Sequence, residues 1–161
     1  MSTARVPSYL HVGGVHAINR RDHNGSSPLL VAASGGHEAL AALLLSHPNC
    51  KPDLPDRFGC TPLSVAAASG FVKVIKSLLQ SGSDPNCHDN GGDTPLMCAA
   101  KHGAVKAVEA LLETGVILVN AKNEQGDTAL HLVMEWASLS SLRREAEKAI
   151  VTTLQRYGAR D

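Results

Sequence analysis

Asp56-Arg57-Phe58-Gly59-Cys60-Thr61-Pro62-Leu63-Ser64-Val65-Ala66-Ala67-Ala68-Ser69-Gly70 is the stretch that decides the fold. It opens with an acidic residue three positions before a glycine, the composition of a tight turn: the carboxylate accepts nearby backbone N–H groups and the glycine takes a positive φ. Thr61 then offers a hydroxyl where a helix leaves its first amides unpaired, and Pro62 stands at the first helical position, where a missing N–H costs nothing. Leu63 and the small residues Ala66 and Ala67 follow, and Gly70 supplies the stop.

The pattern occurs four times. Ser27-Pro28-Leu29, Thr61-Pro62-Leu63, Thr94-Pro95-Leu96 and Thr128-Ala129-Leu130 recur with a period of about 33 residues, a length that signals stacked repeats. Gly25, Gly59, Gly92 and Gly126 each stand two residues before the motif, and Asp22, Asp56, Asp89 and Asn123 stand five before. After the alanine pairs a second helix is expected at once, with apolar stripes of Leu40, Leu43 and Leu44, then Val74, Ile75, Leu78 and Leu79, then Val108, Leu111 and Leu112, facing the adjacent units. Gly82 and Gly115 close these helices, and Asn86 and Asn120 are placed to tie successive turns together.

Taken whole, D-x-x-G-x-T-P-L-x-x-A-A-x-x-G with a later L-L-x-x-G and Asn resembles the ankyrin repeat over residues 19–161. The expected fold is all-α, an ankyrin-repeat solenoid of about four helix-turn-helix units joined by β-hairpin-like turns. The units are expected at about 22–55, 56–88, 89–122 and 123–161, behind an N-terminal segment, residues 1–18, read as a partial repeat or cap. Departures matter too. The histidine that follows Leu in the family occurs only as His131; Leu30, Ser64 and Met97 replace it, so a bond bridging the helix cap is expected to be missing there. Unit one closes with His47-Pro48-Asn49 and carries one extra residue before Asp56, which predicts a local loop distortion. The last unit holds an insertion around Trp136 to Glu145, read as two lengthened helices with a Ser138-to-Ser141 turn between them. Gln155 replaces the leucine of Leu79 and Leu112, as suits a C-terminal cap with nothing packed beyond it.

Composition narrows the function. Fifteen basic and fifteen acidic side chains leave no net field to draw a polyanion, so nucleic acid is not an expected partner. The longest wholly apolar run, Ala39 to Leu45, is too short to span a bilayer, so no membrane insertion is expected. Without a secretory pattern at its start, the chain is expected in the cytoplasm, with the nucleus as the alternative, and Cys50, Cys60, Cys87 and Cys98 are expected as free thiols. No nucleophile motif, phosphate loop or dinucleotide glycine pattern occurs, so neither catalysis nor a cofactor is expected. Cys98 and His102 lie four apart on one expected helix, with Cys87-His88 ahead of them. The simpler reading is an inward thiol and an outward imidazole rather than zinc ligands.

The resemblance implies a concave binding stripe made of turn tips and the exposed ends of first helices. Carried over by position, it comprises Arg21, His23, Asn24 and Ser26; Arg57, Phe58, Cys60 and Ser69; His88, Asn90, Asp93, Lys101 and His102; and Lys122, Glu124, Gln125, Asp127, Glu135 and Trp136. Arg21, His23 and Arg57 make its start basic, whereas Glu124, Asp127 and Glu135 make its end acidic, which would steer a partner of opposed polarity into register. Phe58 and Trp136 are the natural anchors, although Phe58 can simply cover its own turn and Trp136 can pack on the insertion. Leu78, Asp84 and Asn86 also match the acceptor spacing for asparaginyl hydroxylation reported for this family; a turn-bridging asparagine is the plainer reading of Asn86. The expected function is thus a non-catalytic scaffold, monomeric by itself, that binds another protein as adaptor, inhibitor or targeting module. The alternative is a regulatory or structural part of a longer polypeptide, and a metal- or redox-responsive module is a third.

Overall fold

The structure, a computed structural model, describes residues 17–135 and 141–160. Among them are eight helices and no strand: α1 (Pro28–Ser34), α2 (Glu38–Leu45), α3 (Pro62–Ser69), α4 (Val72–Gln80), α5 (Pro95–Lys101), α6 (Val105–Leu112), α7 (Ala129–Met134) and α8 (Ser141–Arg156). The helices form four pairs. First helices pack in the order α1, α3, α5, α7 and second helices in the order α2, α4, α6, α8, so the array has two layers, each helix also touching its own partner.

Each first helix begins where side-chain chemistry requires it. Ser27, Thr61, Thr94 and Thr128 accept a hydrogen bond from the N–H three residues on, and proline opens three of the four helices. The bond across the cap survives more widely than the missing histidines suggest. Thr61 N–H donates to Ser64 Oγ at 2.9 Å, Thr94 N–H reaches Met97 Sδ at 3.5 Å, and Thr128 N–H donates to His131 Nδ1 at 3.3 Å. A hydroxyl or a thioether can occupy the acceptor position, so only Leu30 leaves it empty.

Packing depends on small residues. Ala32, Ala33, Ala66, Ala67, Ala99 and Ala100 are wholly buried and let the helices approach closely, while Leu29, Leu63, Leu96 and Leu130 fill the space between first helices. Each such leucine contributes about 1.5–3 kcal/mol through burial. The second layer buries Leu44, then Val74, Ile75 and Leu78, then Val108, Leu111 and Leu112, then Ile150 and Leu154.

Two expectations need correcting here. Leu43 does not face a neighbouring unit; it is 62% exposed, and the inward positions of α2 belong to Ala41 and Leu44. Leu43, Leu44 and Leu45 are consecutive, and at 100° per residue a helix cannot aim all three at one neighbour. The register of Leu78-Leu79 and Leu111-Leu112 falls on Leu44-Leu45, which places Leu43 outward. The insertion in the last unit does not lengthen both helices either. α7 has 6 residues and α8 has 16, against 8 in α6, so the added length lies in α8, which begins at Ser141 itself. Residues 136–140, including most of the expected turn, lie outside the described residues, as does the N-terminal segment up to residue 16. Gln155 is exposed at the outer side of α8, beyond which no helix packs among the described residues.

Candidate protein-binding face

The turns that carry the exposed residues are built alike. Oδ1 of Asp22 accepts from the N–H groups of Asn24 and Ser26, Oδ1 of Asp56 from Phe58 and Cys60, Oδ1 of Asp89 from Gly91 and Asp93, and Oδ1 of Asn123 from Gln125 and Asp127. Those bonds, the one from Ser26 foremost, hold the Asp22 carboxyl below the usual carboxylate range against the opposing effect of burial, with His23 and Arg57 lowering it further.

Successive turns are then joined edge to edge. Arg57 N–H donates to Asn24 O at 3.1 Å, Asn90 N–H to Phe58 O at 2.9 Å and Glu124 N–H to Gly91 O at 3.0 Å. Behind the tips runs a second set of links made by asparagines. Asn19 Nδ2 donates to Asn49 O and its Oδ1 accepts from Lys51 N; Asn86 does the same with Val116 and Leu118, and Asn120 with Gly158 and Arg160. Asn86 and Asn120 therefore tie units together as their positions imply. The set breaks where the loop of unit one departs from pattern. Asp53 stands there, accepts only Asp84 N–H at 3.2 Å, and has its other oxygen buried without a partner, as is the hydroxyl of Ser83.

Arg21, His23, Arg57, Phe58, Ser69, His88, Asn90, Lys101, His102, Lys122, Glu124 and Glu135 are exposed on this ridged surface. Asp127 is half-buried, and Trp136 lies outside the described residues. Their roles differ. Phe58 is 57% exposed with the Arg57 guanidinium 4.7 Å from the centroid of its ring, so a cation covers one face of a ring that is otherwise largely open. Arg21 is committed to the scaffold, donating from Nε to Gly25 O and from Nη2 to Pro55 O in the next unit.

Asp93 is only 7% exposed and is not an open contact point: Lys101 Nζ holds one oxygen at 2.6 Å and Asn123 Nδ2 holds the other at 2.8 Å. The hydrogen bond to Asp93 raises the Lys101 pKa, although burial opposes it. The sequence places Asp93 and Lys101 on the binding stripe as separate charges. The turn and the end of α5 bring them together eight residues apart, so they neutralise one another.

All four cysteines are free thiols. Burial, aided by nearby aspartates, raises Cys60 to about 11 and Cys98 to about 12, so both stay protonated and weakly reactive near neutral pH. His102 is exposed, with Nδ1 2.8 Å from the Cys98 carbonyl. Among the described residues no group of three or more His, Cys, Asp or Glu side chains could hold a metal ion, and no helix is long and apolar enough to cross a membrane.

Some surface features carried no motif. Arg20, Ser26, Pro28 and Val31 help line a cavity of about 340 Å³ at the start of the stack. A polar trough of about 960 Å³ runs under the tips, with His88 and Lys122 in its wall. Val116 and Leu118 are 60% and 61% exposed in the closing loop of the third unit. The apolar run from Val116 to Val119 ahead of Asn120, where unit two has Ser83-Asp84-Pro85 ahead of Asn86, was the legible signal for that last patch.

Repeated helix pairs stacked in single file, with projecting turns joined along one edge, define a solenoid repeat protein. The family described as "Ankyrin repeats (3 copies)" matches residues 6–89 and 64–144, and the chain belongs to the ankyrin repeat family. It is 35% identical over 66 residues to mouse Rabankyrin-5, covering 41% of this chain and 6% of that protein. It is 37% identical over 71 residues to the ankyrin repeat protein YahD of Escherichia coli, covering 41% and 35%. A third relative, the 26S proteasome non-ATPase regulatory subunit 10 of Dictyostelium discoideum, is 34% identical over 64 residues, covering 40% and 28%. The matched segments thus span about a third or less of these relatives' lengths.

Proposed function

We propose that this chain is a non-catalytic binding module that presents its turn tips and first-helix ends to a protein partner. Ankyrin repeats are generally protein–protein interaction modules, and the observation that carries the reading here is Phe58: an exposed aromatic ring on a turn whose backbone N–H groups, from Asp56 to Cys60, are all hydrogen-bonded. An exposed ring on a rigid support loses little conformational freedom on binding, which is what a contact hot spot requires. The binding residues are His23, Arg57, Phe58, Ser69, His88, Asn90, Lys122, Glu124, Asp127, Glu135 and Trp136, with Lys101 and His102 between the two ends of the face, while Arg21 and the buried Asp93 support it from within. Asn86 serves the stack: both polar atoms of its amide are engaged, which supports bridging over hydroxylation.

The module acts without a cofactor, as a monomer, in the cytoplasm or nucleus; its four free thiols support a reducing compartment. A second reading, an array packed against other parts of a longer polypeptide, draws support from the small share of the relatives that is matched. Affinity capture with the immobilised chain tests the first reading. A protein retained by the native chain should be lost from the Phe58→Ser/Trp136→Ser double variant while its urea midpoint holds; equal retention by both would reject this face as the binding surface.

A further inference from the structure

The same face has two distinct ends separated by a middle whose lysine, Lys101, is paired with Asp93. At the second turn, Arg57 lies over the open ring of Phe58 and, among the described residues, is in no ion pair. At the fourth turn and the end of α7, Glu124, Asp127 and Glu135 are likewise in no ion pair among the described residues, and only Lys122 stands near them in sequence as an opposing charge. Asn123 is a neutral amide where the other three units have a turn aspartate, so the negative charge of this end comes from Glu124, Asp127 and Glu135 alone. Between the two ends Asp93 and Lys101 cancel each other at 2.6 Å.

We propose, resting on the reading of this face as the binding surface, that it takes an extended segment of a partner protein. A bulky apolar residue with an acidic neighbour sits over Phe58 and Arg57, and basic residues sit over Glu124, Asp127 and Glu135. The spacing follows from the stack. Helices α3, α5 and α7 pack side by side, and at roughly 8–10 Å per step the two ends are about 16–20 Å apart. That is the reach of about five or six extended residues. Opposite charges at both ends fix the orientation of the segment, and the apolar contact with Phe58 fixes its register.

The probe is a fluorescein-labelled peptide of about ten residues, with Leu-Glu at one end, Arg-Arg at the other and a Gly/Ser spacer of about five residues between them. In fluorescence anisotropy at low salt it should bind the native chain and weaken as salt rises. Phe58→Ser should weaken it about tenfold, as should Glu124→Lys/Glu135→Lys. Arg57→Glu should also weaken it, and a peptide with Arg in place of its Glu should recover binding to that variant. Far-UV circular dichroism and urea midpoints confirm that each variant is folded. Absence of binding, equal binding of a peptide with the spacer removed, or indifference to Glu124→Lys/Glu135→Lys overturns the inference. If affinity capture is lost in Phe58→Ser/Trp136→Ser but unaffected by the charge reversals, the binding face stands and only this partner chemistry falls.

Discussion

Gly59 shows how tightly single residues are constrained by the stack. Its φ is +81°, and a Cβ placed there would lie 2.6 Å from the backbone nitrogen of Asn90, the atom that donates to Phe58 O and joins the second turn to the third. Gly59→Ala should therefore cost about 1–3 kcal/mol, read as a lower urea midpoint, because both the backbone angle and the cross-turn approach are violated. Cys98 is constrained electrostatically. Its thiol would ionise near 9.0 in the unfolded chain but holds its proton to about 12 when folded, chiefly because of burial. Between those values the unfolded state binds fewer protons, so this site's contribution to stability is complete below about pH 9 and is lost as pH rises towards 12. Thermal melts of Cys98→Ala against the native chain should show a shallower alkaline decline in the variant; parallel curves would refute the assignment. The turn residues and helix caps were legible from sequence because each is satisfied within five residues. The Asp93–Lys101–Asn123 group was not, since its third member comes from the next unit, 30 residues on.

Among the elements, α2 and α8 are where periodicity alone misleads. Three successive leucines in α2 satisfy any helical stripe taken alone; the register of the other units selects Leu44, and packing against α4 buries it and leaves Leu43 outward. Leu44→Ala should cost about 2–5 kcal/mol by opening a cavity. Leu43→Ala should stay within about 0.5 kcal/mol of native, as exposed substitutions usually do. Paired urea titrations decide it, and equal losses would mean that the outward placement is wrong. The insertion in the last unit has the opposite ambiguity. A run free of glycine and proline shows that a helix can continue, but which of two helices takes the added length depends on what each packs against. Here α8 lies on α6 and α7 as the last of its layer, with Ile150 and Leu154 buried and Gln155 facing outward.

Across the whole molecule, stability is the sum of helix pairs and the interfaces between them, so a weak link in one interface matters more than its size suggests. Asn19, Asn86 and Asn120 each supply a donor and an acceptor across a unit boundary, whereas Asp53 supplies acceptors alone. Its buried oxygen and the Ser83 hydroxyl both lack partners. Asp53→Asn should restore a donor at that boundary and stabilise the chain by about 1 kcal/mol, the usual yield of satisfying a buried polar group. A urea midpoint that stays the same or falls in Asp53→Asn would show that the break is tolerated for another reason. The charge gradient belongs to this scale as well, because it arises from residues in different turns that share no local contact.

From the sequence alone came the repeat period, the helix starts, the turn chemistry and the family resemblance, all of them consequences of hydrogen bonds and backbone preferences that act over a few residues. The tertiary structure decided where the inserted residues go, that Asp93 and Lys101 neutralise each other, and that the Phe58 ring stays largely exposed. These depend on which neighbour fills the space beside a side chain, and burial and charge pairing between units are fixed only when the units stack.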